Sequence, residues 1–353
     1  MHFHETGPYL FRISDNLGVQ WNGLSFMLSL VVSFVFMSWM SYRQRSELGQ
    51  ARVGSFLMSC VAGALLGGRL GFCLFYAPSL FLKFRAEFPF WGVLALDEGG
   101  LSAFGSIVGV VVAATIFAIR TGVSRIYLYD LVAICAPISI FFSRVANFLT
   151  GEFIGREAPA DLTISVKFPT EIFHWPALQP QKLQQLTPLV EKVGTDAEKW
   201  QTLLLQSSGQ EEARASISQI LFKVVESVQS GSQDMRGLLE PLLTARHPVQ
   251  LYEAALEGFC LFVFLFFLWR KPRSPGILSA TFLVFYSAIR IFVDQYRMPD
   301  PVLGFDLFHL LRGQWLAIAT LVIGLVLLFI WGRRETLLSP GWGRGHSVKL
   351  HRR

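Results

Sequence analysis

Several ionisable side chains in this sequence sit inside stretches that are otherwise apolar. Tyr286, Arg290 and Asp294 recur every four residues, so a phenol, a guanidinium and a carboxylate share one helical stripe, which Arg297 extends. An ionisable group within a bilayer costs several kcal/mol, of the order of 3 on insertion scales, unless it is paired or meets water, so each is a functional candidate. A pair formed by Arg290 and Asp294 only to tie helices together is the structural alternative. The run Ser143-Arg144-Val145-Ala146-Asn147 puts Arg144 and Asn147 on one face. It leads into Gly151, Glu152, Gly155 and Arg156, whose glycines allow a close backbone approach. Two arginines on different helices make a clamp for phosphate, because a guanidinium offers planar paired donors, and a phospholipid headgroup is the nearest phosphate at that depth. Gln250, Glu253 and Glu257 share a further face, behind His247 and Pro248. These carboxylates either orient the arginines, take a proton or balance charge; His247 is either a base or a cap of its turn. Arg69, between Gly68 and Leu70, needs a partner within the bundle.

The elements that must position these residues are hydrophobic. Of 353 residues, 52% are apolar and 16% charged, which points to a membrane protein rather than a soluble one. The net charge of +6 does not indicate nucleic acid, because the basic residues cluster at the ends of apolar segments as topology signals. Seven stretches approach the length of a spanning helix: Val19–Trp39, Val53–Tyr76, Leu101–Ile119, Ile126–Leu149, Leu251–Trp269, Ile277–Val293 and Trp315–Trp331. The fold expected is therefore an all-α integral membrane protein of about seven transmembrane helices with a helical insert. Alternating segments suited to a membrane barrel are absent from the sequence.

The expected organisation is four helices in 1–150, an outer loop over 151–249, three more helices in 250–332 and a basic tail over 333–353. Arg43, Arg45 and Arg52 follow the first helix, Arg120 and Arg125 the third, Arg270, Lys271 and Arg273 the fifth, and Arg333 and Arg334 the last. That alternation puts the C-terminus in the cytoplasm and the N-terminus outside. Met1 to Asn16 lacks the basic start and small-residue site of a cleavable signal, so the first helix is expected to direct insertion. Within the outer loop, about 181–245 turns polar, with Leu and Val at helical spacing in Lys182–Val193, Ala197–Leu205 and Ile217–Val228. This predicts either a small helical domain or a loop that is only longer. Gly63, Gly67 and Gly71, with Gly105 and Gly109, predict close contact between the second and third helices. Cys60, Cys73, Cys135 and Cys260 have neither metal-ligand nor disulfide spacing, and no metal or organic cofactor is expected.

Five blocks resemble, in order, the motifs of the prolipoprotein diacylglyceryl transferase family: Gly67-Gly68-Arg69-Leu70-Gly71, Glu98-Gly99-Gly100-Leu101-Ser102, Arg144–Arg156, His247–Glu253 and Tyr286–Asp300. The resemblance runs from about Val19 to Trp331. It implies a multi-pass enzyme of the bacterial inner membrane, periplasmic at its N-terminus, that moves diacylglyceryl from phosphatidylglycerol to the lipobox cysteine of preprolipoproteins, with glycerol phosphate leaving. It further implies a lipid-filled bundle, expected to be a monomer. Arg144, Arg290, Tyr286, Glu253 and His247 would serve catalysis. Arg144, Asn147, Gly151, Glu152, Gly155, Arg69, Arg290 and Asp294 would hold the lipid.

The chain departs from the family's pattern at three positions and in one length. Phe104 stands where the family commonly has a His, Asn22 stands where its Trp-Tyr-Gly has a Tyr, Asp294 stands where the sixth helix usually has a Glu, and the insert before His247 is longer than in the family's compact members. A phenyl ring accepts no proton, so the thiol proton would go to His247, His309, Glu253 or the lipid phosphate. The other readings left open are a paralogue acting on another acceptor and a lipid- or lipoprotein-binding protein without turnover. A transporter is disfavoured, because inverted repeats and broken helix pairs are absent from the sequence.

Overall fold

The computed structural model describes residues 2–14, 17–44, 48–95, 99–159, 161–207, 209–298, 312–334 and 338–343. Glu98, Asp300 and His309, which the sequence reading raised, lie outside the described residues. Seven helices among the described residues are long and apolar enough to cross a bilayer, as expected. The first four are α1 (Trp21–Gln44), α2 (Val53–Phe75), α3 (Ala103–Thr121) and α4 (Arg125–Thr150). After the insert helices α5 (Trp175–Leu178), α6 (Thr187–Lys192), α7 (Ala197–Gln206), α8 (Glu211–Gln229) and α9 (Gln233–Leu239), the fifth span is compound. It joins α10 (Val249–Glu253), a π-helical turn (Ala254–Cys260) and α11 (Leu261–Leu268). The last two are α12 (Ile277–Val293) and α13 (Arg312–Gly332). Helices suit lipid because each satisfies its own backbone hydrogen bonds. Large apolar side chains such as Met58, Leu66, Ile107, Val112, Leu325 and Phe329 accordingly stay exposed on their outer faces.

The chain forms two compact units. One comprises Leu30–Ile138, Phe262–Val284 and Ile323–Arg353. Its tightest contact is the one the glycine spacing predicted. A Cβ at Gly63 would strike the Gly109 carbonyl, and one at Gly67 the Gly105 carbonyl, so α2 and α3 approach backbone to backbone. Ser102 caps α3 by accepting the Gly105 N–H at 3.3 Å, and Gly122 closes the other end at φ 73°. In the same unit Asp130 accepts from the Gly276 N–H at 2.7 Å and from the Ser279 N–H at 2.8 Å, which satisfies the start of α12.

The other unit comprises Met1–Ser29, Ser139–Leu261 and Phe285–Val322. It contains the insert, whose helices enclose a core of their own, with Trp175, Leu186, Val190, Trp200, Leu221 and Val224 buried. Short strands that the sequence reading had not identified accompany it. β1 (His2–Phe3) pairs in parallel with β4 (Val166–Lys167), and β2 (Tyr9–Ser14) pairs antiparallel with β3 (Leu17–Gln20). Elements of 2 to 6 residues carry too little alternation to be recognised from sequence. Glu171 fastens the insert. It is fully buried and accepts the Arg246 guanidinium at 3.0 Å, the Thr244 N–H at 3.0 Å and the Trp175 indole N–H at 3.2 Å. Burial pushes this carboxyl up, but the Arg246 hydrogen bond and charge, with the Thr244 and Trp175 donors, outweigh it and leave its pKa below the ordinary value.

Two outcomes follow from this packing. Gly67→Leu forces α2 and α3 apart and should destabilise by about 1–3 kcal/mol or more. Gly237→Ala, whose Cβ meets nothing within 4 Å, should be neutral or slightly stabilising. Thermal midpoints in detergent compare the two, and equal midpoints would contradict the packing. A depressed carboxyl stabilises fully above its ordinary pKa of 4.5 and loses that contribution as pH falls through the depressed folded value. Glu171→Gln should therefore be less stable than the parent by about 3–5 kcal/mol at neutral pH. The gap should narrow below pH 4.5, read from the fluorescence of buried Trp175 and Trp200.

Candidate functional site

The site residues described below belong to the unit that contains the insert. Helix α4 delivers Arg144 and Asn147 and ends where Gly151, at φ 70°, turns the chain out of the helix. Thr170 fixes that turn by donating its hydroxyl to the Gly151 carbonyl at 2.6 Å, and Gln250 donates to the Glu152 carbonyl at 2.6 Å. The chain then lies against the end of the Asp294–Tyr296 turn. Gly155 bridges to Arg297, and the Arg156 N–H donates to the Tyr296 carbonyl at 2.8 Å. A Cβ at Gly155 would collide with the His247 carbonyl, so glycine is needed here for close approach.

Glu253 is the hub of the site. Its carboxylate, fully buried, receives Arg290 at 2.6 Å, Arg297 at 3.1 Å and the Arg144 Nε at 3.1 Å. Arg290 also meets Glu257 at 3.3 Å and Asp294 at 3.0 Å. Arg144 and Arg290, carried by separate helices, thus converge on one carboxylate. Three guanidiniums face three carboxylates in this cluster, so its formal charge sums to zero. Among the described residues Arg144 and Arg297 each reach the cluster's carboxylates through a single nitrogen, which leaves the rest of each fork for an anion. The π-helical turn carries Glu257 beside the hub, and its Gly258 packs against the Phe141 backbone, where a Cβ would lie 2.7 Å from the Phe141 Cβ.

A cavity of about 850 Å³ adjoins the cluster and is lined by Arg290, Asp294 and Arg297 together with Glu152 and Phe153. Its far walls are Phe11 and Arg12 of the β2–β3 hairpin and Phe222 and Glu226 of α8. Arg12 and Glu226 pair at 2.6 Å. Burial raises the Glu152 carboxyl, with a hydrogen bond from the Asn22 side chain opposing it.

The remaining candidates have other surroundings. His247 hydrogen-bonds the Tyr252 hydroxyl at 3.2 Å, lies edge-on to Tyr296, and is absent from the cavity lining; burial lowers its pKa. Asn147 is buried one turn beyond Arg144, and Tyr286 lies one turn before Arg290. Arg69, in the other unit, donates to the carbonyls of Gly92, Val93, Ala95 and Gly100, so its guanidinium holds the loop that precedes α3. Phe104, at the start of α3, is 56% exposed and lies edge-on to Phe75. Sequence reasoning did not anticipate the walls given by the hairpin and by α8. One signal was available for the latter: Phe222 stands off the apolar stripe of Ile217, Leu221, Val224 and Val228, where a soluble helix would carry a polar residue.

A sequence model of the family described as prolipoprotein diacylglyceryl transferase matches residues 8–330. The chain is 45% identical over 350 residues to the phosphatidylglycerol–prolipoprotein diacylglyceryl transferase of Bdellovibrio bacteriovorus, covering 99% of each. It is 30% identical over 340 residues to the enzyme of that name from Salmonella choleraesuis, covering 95% of this chain and 96% of the other. To the one from Bordetella avium it is 29% identical over 337 residues, covering 95% and 98%. With the match extending over nearly its whole length, this multi-pass membrane protein belongs to the prolipoprotein diacylglyceryl transferase family.

Proposed function

We propose that this chain is a phosphatidylglycerol–prolipoprotein diacylglyceryl transferase, which moves diacylglyceryl from phosphatidylglycerol to the lipobox cysteine thiol of preprolipoproteins. The relatives are named for this reaction. The observation that carries the reading is the convergence of Arg144, Arg290 and Arg297 on buried Glu253 beside a cavity with apolar walls. Transfer breaks the bond between glyceryl carbon and phosphate oxygen, so negative charge grows on the departing glycerol phosphate. Guanidiniums already held in place by carboxylates stabilise that charge without reorganising. Arg297, which lines the cavity, and Arg144, which is absent from the lining and joined to it through Glu253, offer their remaining donors to the phosphate, while Arg290 is the central charge that Glu253, Glu257 and Asp294 orient. Asn147 and Tyr286 position the headgroup. Gly151 and Gly155 let the backbone after α4 come close to it, and Arg69 acts at one remove by holding the loop before α3.

The working state in this reading is a monomer in the bacterial inner membrane, with the N-terminus and insert periplasmic and the C-terminus cytoplasmic. The basic residues that follow the first, third, fifth and seventh spans support that orientation. A reporter active only in the cytoplasm should work when fused at the C-terminus and fail when fused within 195–210.

Purified protein, phosphatidylglycerol with labelled acyl chains and a lipobox peptide test the reaction. Arg290→Ala should lower thioether formation by about 10²–10³-fold. Glu253→Gln, which leaves three guanidiniums without their shared acceptor, should lose activity at least as severely. Phe104→Ala should stay within about threefold of the parent, since the phenyl ring takes no part in proton transfer. Label retained in a tight complex, with none passing to peptide, would instead identify a lipid-binding protein without turnover. Release of labelled diacylglyceryl to a different acceptor would identify a paralogous transferase.

A further inference from the structure

The transferase reaction needs a group to remove the thiol proton, because the thiolate is the nucleophile. At the position where the family commonly carries a histidine this chain carries Phe104, which accepts no proton. His247 is off the cavity and hydrogen-bonded to Tyr252. Glu253 is committed to three guanidiniums.

The cavity lining narrows the choice. Its carboxylates are Glu152, Glu226 and Asp294. Glu226 is paired with Arg12 at 2.6 Å and Asp294 with Arg290 at 3.0 Å. Glu152 has no ion pair among the described residues. What it has is a rigid mount. Its N–H donates to the Asn147 carbonyl at 2.9 Å, and its carbonyl accepts from Gln250. The residue before it is locked by Thr170, and a Cβ added there would lie 3.4 Å from the ring of buried His4. Its carboxylate takes a hydrogen bond from Asn22, the residue standing where the family's motif has a tyrosine. A carboxylate beside the C-terminal end of a helix, at a cavity wall and without a paired cation, holds a proton more readily than one free in water. The titratable and charged groups facing the same space are Tyr9, Arg12, His174, Glu226, Arg290, Asp294 and Arg297, and among these the imidazole of His174 is the alternative to be tested.

We propose that Glu152 is the general base of the transfer, oriented by Asn22, and that it hands the proton on to the leaving group. This inference rests on the transferase reading. The thiol S–H bond breaks as its proton forms an O–H bond on Glu152. The sulfur then bonds to the glyceryl carbon while that carbon's bond to phosphate oxygen breaks, the electron pair staying on oxygen. Glu152 passes the proton to the departing glycerol phosphate and is a carboxylate again, so thiol plus phosphodiester become thioether plus phosphomonoester with nothing left over.

The test uses full-length protein in phosphatidylglycerol vesicles with two lipobox peptides, one bearing cysteine and one selenocysteine, whose selenol is ionised at neutral pH and needs no base. With the thiol peptide, Glu152→Gln should lower kcat by about 10²–10⁴-fold while the KM for lipid stays within about threefold. Its remaining rate should climb about tenfold per pH unit as the thiol ionises by itself. With the selenol peptide, the same variant should return to within about tenfold of the parent. Equal loss on both acceptors, no loss on the thiol, or a thiol-selective defect in His174→Gln in place of Glu152→Gln would overturn the assignment. If Glu152→Gln does not fold, Glu152→Asp carries the comparison: slowing confined to the thiol supports the base, and equal slowing on both acceptors overturns it. A parent protein that forms no thioether at all defeats the transferase reading and this inference together. An active parent with an indifferent Glu152→Gln defeats the inference alone.

Discussion

One fully buried carboxylate, Glu253, gathers three arginines from α4, from α12 and from the turn beyond it. Separately, each guanidinium would be expensive in a low-dielectric interior; together with Glu253, Glu257 and Asp294 they form a cluster of zero formal charge whose members pair with one another. The rest of the site follows from this cluster. Gly151 and Gly155 bring the chain after α4 against the turn that follows α12. The π-helical turn places a second carboxylate beside Arg290.

Neutrality also shapes how a lipid phosphate is accommodated. A cluster with surplus positive charge would hold phosphate tightly in the ground state and in the product alike. In the proposed reading a balanced one would bind the diester through donors left over on Arg144 and Arg297, and would respond most strongly when extra charge develops on the leaving phosphate. That differential response is what accelerates a reaction, since binding ground and transition states equally gains nothing in turnover.

Much of this was legible in the sequence because lipid forbids ambiguity. Seven apolar runs had to be helices, and Tyr286, Arg290 and Asp294 had to face inward along one stripe. The glycines of α2 and α3 announced their own contact. The resemblance put Arg69 among the residues that hold the lipid, and in the structure its guanidinium donates to the carbonyls of Gly92, Val93, Ala95 and Gly100, a backbone partnership that no spacing in the sequence indicates. The insert's buried stripe was readable from Leu and Val spacing, but its service as a cavity wall was not. Periodicity records which face of α8 is buried; Phe222, off that face, hints at a second apolar surface but not at what it and Glu226 look toward. The hairpin of β2 and β3 was invisible for a similar reason, being short and held by tertiary surroundings rather than by pattern.

The shared acceptor of Arg144 has a consequence for biogenesis. Arg144 is synthesised about a hundred residues ahead of Glu253, with the whole insert translated between them. When α4 first leaves the ribosome its guanidinium has no counter-ion from this hub, and Arg290 and Arg297 emerge later still. The end of α4 therefore reaches its finished surroundings only when α10 arrives with its carboxylate, whereas the contact of α2 with α3 needs nothing beyond those two helices. The cluster is thus complete only after the fifth and sixth spans have been made.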